Sequence, residues 1–326
     1  MSELYLGLMS GTSIDGVDAV LADIDDTTCR VVSAATTAFP TPLLARLRHL
    51  VEHPQPTLRD LGALDHALGR FFARCALDLI EHAAVPRDEV VAIGHHGQTV
   101  FHHPTGIEPF TMQIGDPNIV AAETGIVTVA DFRRLDMACG GQGAPLVPAF
   151  HLWRFGQGTE QRAVVNIGGI ANITALHPNE PTIGFDTGPG NTLLDLWIRR
   201  CRGDDYDDGG HYAASGRVSD ALLTQLLRDP FFAAPAPKST GRELFNMEWL
   251  ERQLDGAGAI APADVQATLA ELTAATIVAG VQNALDDCRR LIVCGGGARN
   301  TDLLARLQRR TRAVIETTEA HGLAPD

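Results

Sequence analysis

The sequence predicts an α/β protein built as two related domains that face one another across a cleft. Three observations predict it. The chain has 326 residues, 45% of them hydrophobic, enough for more than one core. Near residue 10 and again near residue 168, two strands are joined by a glycine-containing turn and followed by a third strand. In each half, helices then lead to a late strand ending on glycine, so the second half repeats the first in outline.

Leu4 to Met9 is apolar enough for a buried strand. It reaches the turn Ser10-Gly11-Thr12-Ser13-Ile14-Asp15-Gly16, after which Val17 to Ile24 and Arg30 to Phe39 read as further strands of a meander. Such a turn can offer successive N–H groups and the Thr12 and Ser13 hydroxyls to a phosphate, or be an ordinary Asp-Gly hairpin. Leu61, Leu64, Leu68, Phe71, Phe72, Cys75 and Leu79 fall on one face of a long helix. A strand at Val90 to Ile93 is expected to end on Gly94-His95-His96-Gly97-Gln98-Thr99. With His102 and His103 near, a metal is conceivable, but adjacent histidines on a strand point to opposite faces and no ligand spacing completes a set. Polar contacts to a substrate suit the run better, and plain surface histidines remain open.

Gln113 to Asn118 reads as a turn into a helix, and Ile126 to Ala130 as a strand ending on Asp131-Phe132-Arg133-Arg134. Two arginines there could hold a sugar or a carboxylate, or lace a domain surface with salt bridges. The flexible run Gly140-Gly141-Gln142-Gly143-Ala144-Pro145 marks the expected boundary, giving domains over 1–139 and 140–326.

In the second half, Ala163 to Ile167 is a strand, Gly168-Gly169 a turn and Ile170 to Leu176 a return strand. Thr182 to Phe185 is expected to end at Asp186, with glycines then leading to a helix near Asn191. A carboxylate at a strand end, beside the free N–H groups of a helix start, suits chemistry next to an anion; a helix cap is the plainer use. Gly203 to Gly210 is expected to be a solvated acidic loop, lacking the spacing of a calcium site. Pro235 to Glu243 is a stiff segment fit for a dimer or substrate contact. A long helix capped by Asp264 carries Val265, Leu269, Leu272, Val278, Val281 and Leu285 broadly on one side, and a last strand at Leu291 to Val293 ends on Cys294-Gly295-Gly296-Gly297.

Composition removes several function classes. The formal charge of −14 argues against nucleic acid or an anionic membrane as partner. Lysine occurs once, at Lys238 in Ala-Pro-Lys-Ser-Thr, so the Gly-Lys-Ser/Thr phosphate loop is absent. The six cysteines form no Cys-x-x-Cys pair, which fits a reducing cytoplasm. No charged-then-apolar leader opens the chain, and no run of about eighteen apolar residues would span a membrane.

Two glycine hairpins, an Asp between them and a late triple glycine resemble the actin, sugar-kinase and heat-shock-chaperone ATPase superfamily. The ordered set narrows this further. Met9 to Asp18, Gly94 to Thr99, Asp131 to Arg133, Gly140 to Pro145, Asn166 to Asn172, Gly184 to Asn191, Lys238 to Glu243 and Gly295 to Asn300 together resemble the anhydro-N-acetylmuramic acid kinase family over essentially the whole chain. The resemblance implies two ribonuclease H-like domains of the actin/hexokinase type. It implies a cytoplasmic homodimer that acts in peptidoglycan recycling and amino-sugar catabolism. The family continues past a segment like His321 to Asp326 into a helix bearing a substrate glutamate. Ending at Asp326, this sequence is expected to lack both.

The implied reaction opens the internal ether of anhydro-N-acetylmuramic acid with water and phosphorylates the freed 6-oxygen from ATP. Asp186 would be the general base and also touch substrate. A carboxylate with a reference pKa of about 4 is ionised at neutral pH and can take that proton. ATP would lie on Gly11, Thr12, Ser13, Ile14, Asp15, Gly16, Val17 and Asp18, on Gly168 and Gly169, and on Gly295, Gly296 and Gly297, these last near the adenosine. Asp15 or Asp18 would hold Mg2+ through water. Arg133 and Gln98 would hold the sugar and its lactyl carboxylate. The rival readings are a kinase of the same fold with another sugar or acid, and a non-catalytic ATP-driven switch. A Rossmann dehydrogenase is third, because Gly188-x-Gly190 lacks the third glycine.

Overall fold

The computed structural model describes residues 2–11, 14, 16–104, 106–241, 244–255 and 258–325. The chain divides into two compact units, residues 1–146 and 147–326. Among the described residues, no helix is long and apolar enough to cross a membrane.

In the first unit, β1 (Glu3–Ser10), β2 (Gly16–Ile24) and β3 (Cys29–Ala38) form the expected antiparallel meander. Then come α1 (Thr41–Glu52) and α2 (Leu58–His82). The hydroxyl of Thr57 accepts from the Asp60 N–H to start α2, whose Leu64, Leu68, Phe72 and Leu79 bury against Leu6, Leu8 and Val17 of the sheet. The strand expected at Val90 to Ile93 runs much further, as β4 (Val90–His103). Its near half lies parallel to β1. Its far half makes a hairpin, unforeseen in the sequence, with β5 (Phe110–Ile114). That extra pairing begins at Gln98 and carries the strand on to His103. Next, α3 (Pro117–Thr124) leads to β6 (Thr128–Val129), shorter than expected, and to α4 (Phe132–Ala138), so Arg133 is helical.

The second unit begins with α5 (Pro148–Phe155), then β7 (Gln161–Ile167), β8 (Ile170–Leu176) and β9 (Ile183–Pro189). Five helices follow: α6 (Thr192–Arg202), α7 (His211–Ser215), α8 (Asp220–Leu226), α9 (Pro230–Ala233) and α10 (Met247–Leu254). The chain closes with α11 (Pro262–Ala284), β10 (Cys288–Cys294), α12 (Thr301–Arg310) and β11 (Val314–Thr317). Here β9 does not stop at Asp186, because Gly188 and Pro189 stay paired with Ala171 and Ile170 at the start of β8. Nor is α11 one-sided. Its first half packs with α6, α8 and α10 through Val265 and Leu269, its second half on the sheet through Ile277 and Val281. Asp264 lies inside α11 and accepts from the Arg217 N–H, while Ala261 holds the cap position. The acidic loop is not wholly solvated, since Asp207 is buried and accepts from the Tyr212 and Ala213 N–H groups to start α7.

Both sheets share one order. Strands run β3-β2-β1-β4 with β6 beside β4, and β9-β8-β7-β10-β11. In each, the hairpin's first strand is central, its return strand is antiparallel and the late strands are parallel to it. This is the ribonuclease H-like order, present twice.

The outer face of the second sheet is closed by α5, whose His151 is 4% exposed and lies 2.8 Å, through Nδ1, from Thr174 Oγ1. Burial pushes its pKa from 6.5 down to about 4. The folded value lies below the unfolded one, so the unfolded chain binds the proton first. This histidine's contribution to stability is therefore present above pH 6.5 and lost as pH falls towards about 4, on the order of 3 kcal/mol in all. Urea midpoints measured between pH 7 and 4 should fall less steeply in His151→Leu than in the parent. Equal slopes would contradict this.

Candidate active site

The first phosphate-type turn is held from behind. β4 carries a bulge at His96-Gly97, where Leu8 pairs with His95 but Ser10 with Gln98. Gly97 has φ +72°, and a Cβ there would sit 2.9 Å from the Ile114 carbonyl oxygen, so only glycine fits. The bulge brings the fully buried Gln98 to the turn. Its Nε2 donates to the carbonyls of Gly11 and Thr99, each at 3.0 Å, and its Oε1 lies 2.6 Å from Ser10 Oγ. Ser10 Oγ is also 2.7 Å from the Gly16 carbonyl, so its single proton serves one of the two. The Gln98 amide is thus committed within the unit, behind the turn.

Of the turn residues singled out from sequence, Thr12, Ser13 and Asp15 lie outside the described residues. Ile14 is buried with φ +56°, a strained conformation for a β-branched residue and one that marks functional turns. Val17 is fully buried, and a Cβ on Gly16 would meet the Thr37 carbonyl oxygen at 2.7 Å. Gly11, Ile14, Gly16 and Val17 can therefore offer a ligand little besides backbone. Asp18 is exposed on β2 and accepts from Thr36 Oγ1 at 2.6 Å.

Beside this, Arg133 is aimed by a neutral histidine. Its Nε donates to His96 Nε2 at 2.8 Å, and its Nη1 to the Gly143 carbonyl at 2.6 Å. His96 Nδ1 lies 2.8 Å from the Gly97 carbonyl, so the imidazole proton sits on Nδ1. Burial, and then the charge of Arg133, push the His96 pKa down to about 4. Among the described residues Arg133 has no carboxylate in ion-pair contact, and burial lowers its own pKa from the usual value. Nη2 has no partner among the described residues, so a bidentate anion can still be met. The loop expected to be flexible is pinned to the same helix. Gly143 N–H donates to Asp136 Oδ2 at 2.7 Å, and a Cβ on Gly141 would clash with that carboxylate. His95 faces inward, its Nε2 on the Gly115 carbonyl, and among the described residues no three metal-ligating side chains cluster.

In the second unit the Gly168-Gly169 turn caps α6. The N–H of Asn191 donates to the Gly168 carbonyl, and those of Gly190 and Thr192 to the Gly169 carbonyl, at 2.8–3.1 Å. Asn191 holds the cap position and Thr192 opens α6, so the sequence expectation of free N–H groups at the helix start fails at Thr192. The trans peptide between Gly168 and Gly169 must aim the Gly169 N–H away from the helix, and the next peptide does the same for Ile170. Those amides are the turn's outward side. A Cβ on Gly190 would come within 2.3 Å of the Gly168 carbonyl oxygen.

Asp186 sits mid-strand in β9, and it is not the cap of α6. Its Oδ2 accepts from the Thr240 N–H at 2.9 Å, and its own N–H donates to the Lys238 carbonyl. Lys238 itself points away, donating Nζ to the Phe231 and Phe232 carbonyls. A bulge follows Asp186, because β9 spends Asp186 and Gly188 against Asn172 and Ala171 and leaves Thr187 over. Register then aligns Cys294, Asn166, Asn172 and Asp186 across β10, β7, β8 and β9. Paired residues project to one face, so these four form a transverse polar row. The sequence reading missed this row. Asn166 and Asn172 are symmetric about Gly169, and counting outward from the turn reveals them.

The late glycines close on the same end of the sheet. A Cβ on Gly295 would lie 2.4 Å from Asn166 Oδ1, and one on Gly297 would lie 2.3 Å from Ile167 Cγ2. Gly296 is exposed and lines a cavity of about 460 Å3 with Asn191, Asp195, Tyr206 and Arg299. The unit thus sets Gly168, Gly169, the three late glycines and Asp186 around one sheet end.

The family model for anhydro-N-acetylmuramic acid kinase matches residues 3–326. The anhydro-N-acetylmuramic acid kinase of Pasteurella multocida is 49% identical over 326 residues, covering 99% of this chain and 86% of that protein. That of Coxiella burnetii is 50% identical over 327 residues, covering 99% and 87%. That of Vibrio vulnificus is 48% identical over 326 residues, covering 99% and 88%.

Replacing Gln98 by the similarly shaped leucine strands the Gly11 and Thr99 carbonyls. Gln98→Leu should lose about 1–3 kcal/mol of unfolding free energy and speed amide exchange in residues 9–17. Parent-like exchange there would remove Gln98 from the role of holding the turn.

Proposed function

The chain belongs to the anhydro-N-acetylmuramic acid kinase family, and from that premise we propose that it converts 1,6-anhydro-N-acetylmuramic acid, ATP and water to N-acetylmuramic acid 6-phosphate and ADP. Water attacks the anomeric carbon and gives its proton to Asp186. The bond from that carbon to the 6-oxygen breaks, and the 6-oxygen takes the γ-phosphoryl group. One observation carries the reading: a half-buried carboxylate fixed by the Thr240 N–H, on the sheet that also bears the Gly168-Gly169 turn. A base must be held in place to be effective, and this one is.

Phosphoryl transfer needs mainly positioning and charge neutralisation. The outward amides of Gly169 and Ile170 suit phosphate oxygens, the cavity beside Gly296 suits a nucleoside, and the backbone of the Gly11 to Asp18 turn suits phosphate in the first unit. Arg133, whose Nη2 has no partner among the described residues, suits the lactyl carboxylate. Magnesium fits the donors present: it asks for one or two carboxylates beside phosphate, and exposed Asp18 gives only one oxygen to Thr36. Asp18, with Asp15, would hold the ion through water, and the ion would supply charge neutralisation at the phosphates. A cytoplasmic homodimer working in peptidoglycan recycling and amino-sugar catabolism belongs to the same proposal. No disulfide joins any of the six cysteines, which is compatible with that compartment.

Asp186→Asn keeps the shape of the side chain and removes the base. It should lower turnover at least ~100-fold while ATP affinity stays within about twofold. Turnover near that of the parent, measured as ADP formed with the anhydro sugar present, would take the base role from Asp186.

A further inference from the structure

We propose that Asn172 is a second catalytic residue, which accepts a hydrogen bond from the attacking water and so orients it between two side chains. The proposal rests on the reading of Asp186 as base. Asn172 is the direct cross-strand partner of Asp186, and such pairs hold their Cβ atoms about 5 Å apart on one face. Asn172 Oδ1 is buried and has no hydrogen-bond partner among the described residues. A buried acceptor left in that state costs about 1–3 kcal/mol, so its retention beside a carboxylate points to a donor that arrives with the substrates. Its neighbour in the row, Asn166, differs: its Oδ1 faces the Cys294 thiol at 4.0 Å. A second atom without a partner among the described residues, Thr240 Oγ1, is buried on the residue whose N–H holds Asp186. Two unmet polar atoms flanking one carboxylate describe a place for solvent rather than for packing.

The chemistry asks for such a partner. Water has two protons, and a base engages one. Unless the second is also held, the oxygen rotates about its bond to Asp186 and its lone pair points at the anomeric carbon only part of the time. With one proton on Asp186 and the other on Asn172 Oδ1, a lone pair is fixed for attack. As the new carbon–oxygen bond forms, the first proton passes to Asp186, the second remains on the new hydroxyl, and Asn172 neither gains nor loses a proton.

The test compares parent, Asn172→Leu and Asn172→Asp on ATP and the anhydro sugar. Leucine has the same outline and removes an unpaired buried acceptor. The thermal midpoint of Asn172→Leu should therefore equal or exceed that of the parent, while turnover falls roughly 10- to 100-fold and the KM for ATP stays within about twofold. Asn172→Asp places a like charge beside Asp186 and should move the acid limb of the kcat profile to higher pH. Parent-like turnover in Asn172→Leu would overturn the proposal, as would a loss no larger than its unfolded fraction. An unmoved acid limb in Asn172→Asp would count the same way. A parent protein that forms no phosphorylated sugar would instead sink the assigned reaction, and this inference with it.

Discussion

Strand register in the second sheet is the constraint on which the site depends. Because side chains alternate along a strand, a slip of one residue in β8 would send Asn172 to the inner face and Ile173 to the outer. The register is held from both ends. Val165, Ile173 and Phe185 are paired in the next row and buried under α11, so a slip of β8 would pull Ile173 out of that core and leave a gap between the other two. At the other end, the carbonyls of Gly168 and Gly169 accept from the Gly190, Asn191 and Thr192 N–H groups leading into α6, which fixes the turn and hence the residue from which pairing counts. The Thr187 bulge then resets the pleat just past Asp186, so Asp186 keeps the row while Gly188 and Pro189 continue to pair.

The first unit uses the same device with different chemistry. There too a bulge sits beside the hairpin, at His96-Gly97, and in this unit it brings the Gln98 side chain to the turn. Gln98 is buried, with its amide donors satisfied by carbonyls, and it braces the turn from within the sheet. His96, kept neutral by burial, can accept the Arg133 proton only because it is uncharged, so a protonated His96 would repel the arginine it now aims. A chain with few lysines suits this scheme. Planar guanidinium forks can be fixed by two acceptors and still offer donors, which an ammonium cannot do as well.

Much of this was legible in the sequence, and the rest was hidden for physical reasons. The twin hairpins, the long α2 and the late strand β10 were readable because short-range patterns encode them. What escaped was set by partners far away in the chain. β4 looked like a strand ending at Gly94 because β5, which prolongs it, lies beyond a loop. Asp186 looked like a strand end because the glycines after it mimic a turn, although β8 keeps them extended. The loop Gly140 to Pro145 looked flexible from composition, yet Asp136 and Arg133 tie it down. Asp264 looked like a cap, since local sequence cannot show that its carboxylate is taken by Arg217. Gln98 was expected from the sequence to hold the sugar, and only the packed sheet reveals that its amide serves the Gly11 and Thr99 carbonyls.

The account stands or falls on whether water and the γ-phosphoryl group reach the same sugar. The direct measurement is mass spectrometry of the products formed from ATP, 1,6-anhydro-N-acetylmuramic acid and oxygen-labelled water. It should yield a sugar phosphate carrying one labelled oxygen at the anomeric carbon and none in the phosphate. A phosphorylated sugar without label, or labelled inorganic phosphate with the anhydro sugar untouched, would contradict it.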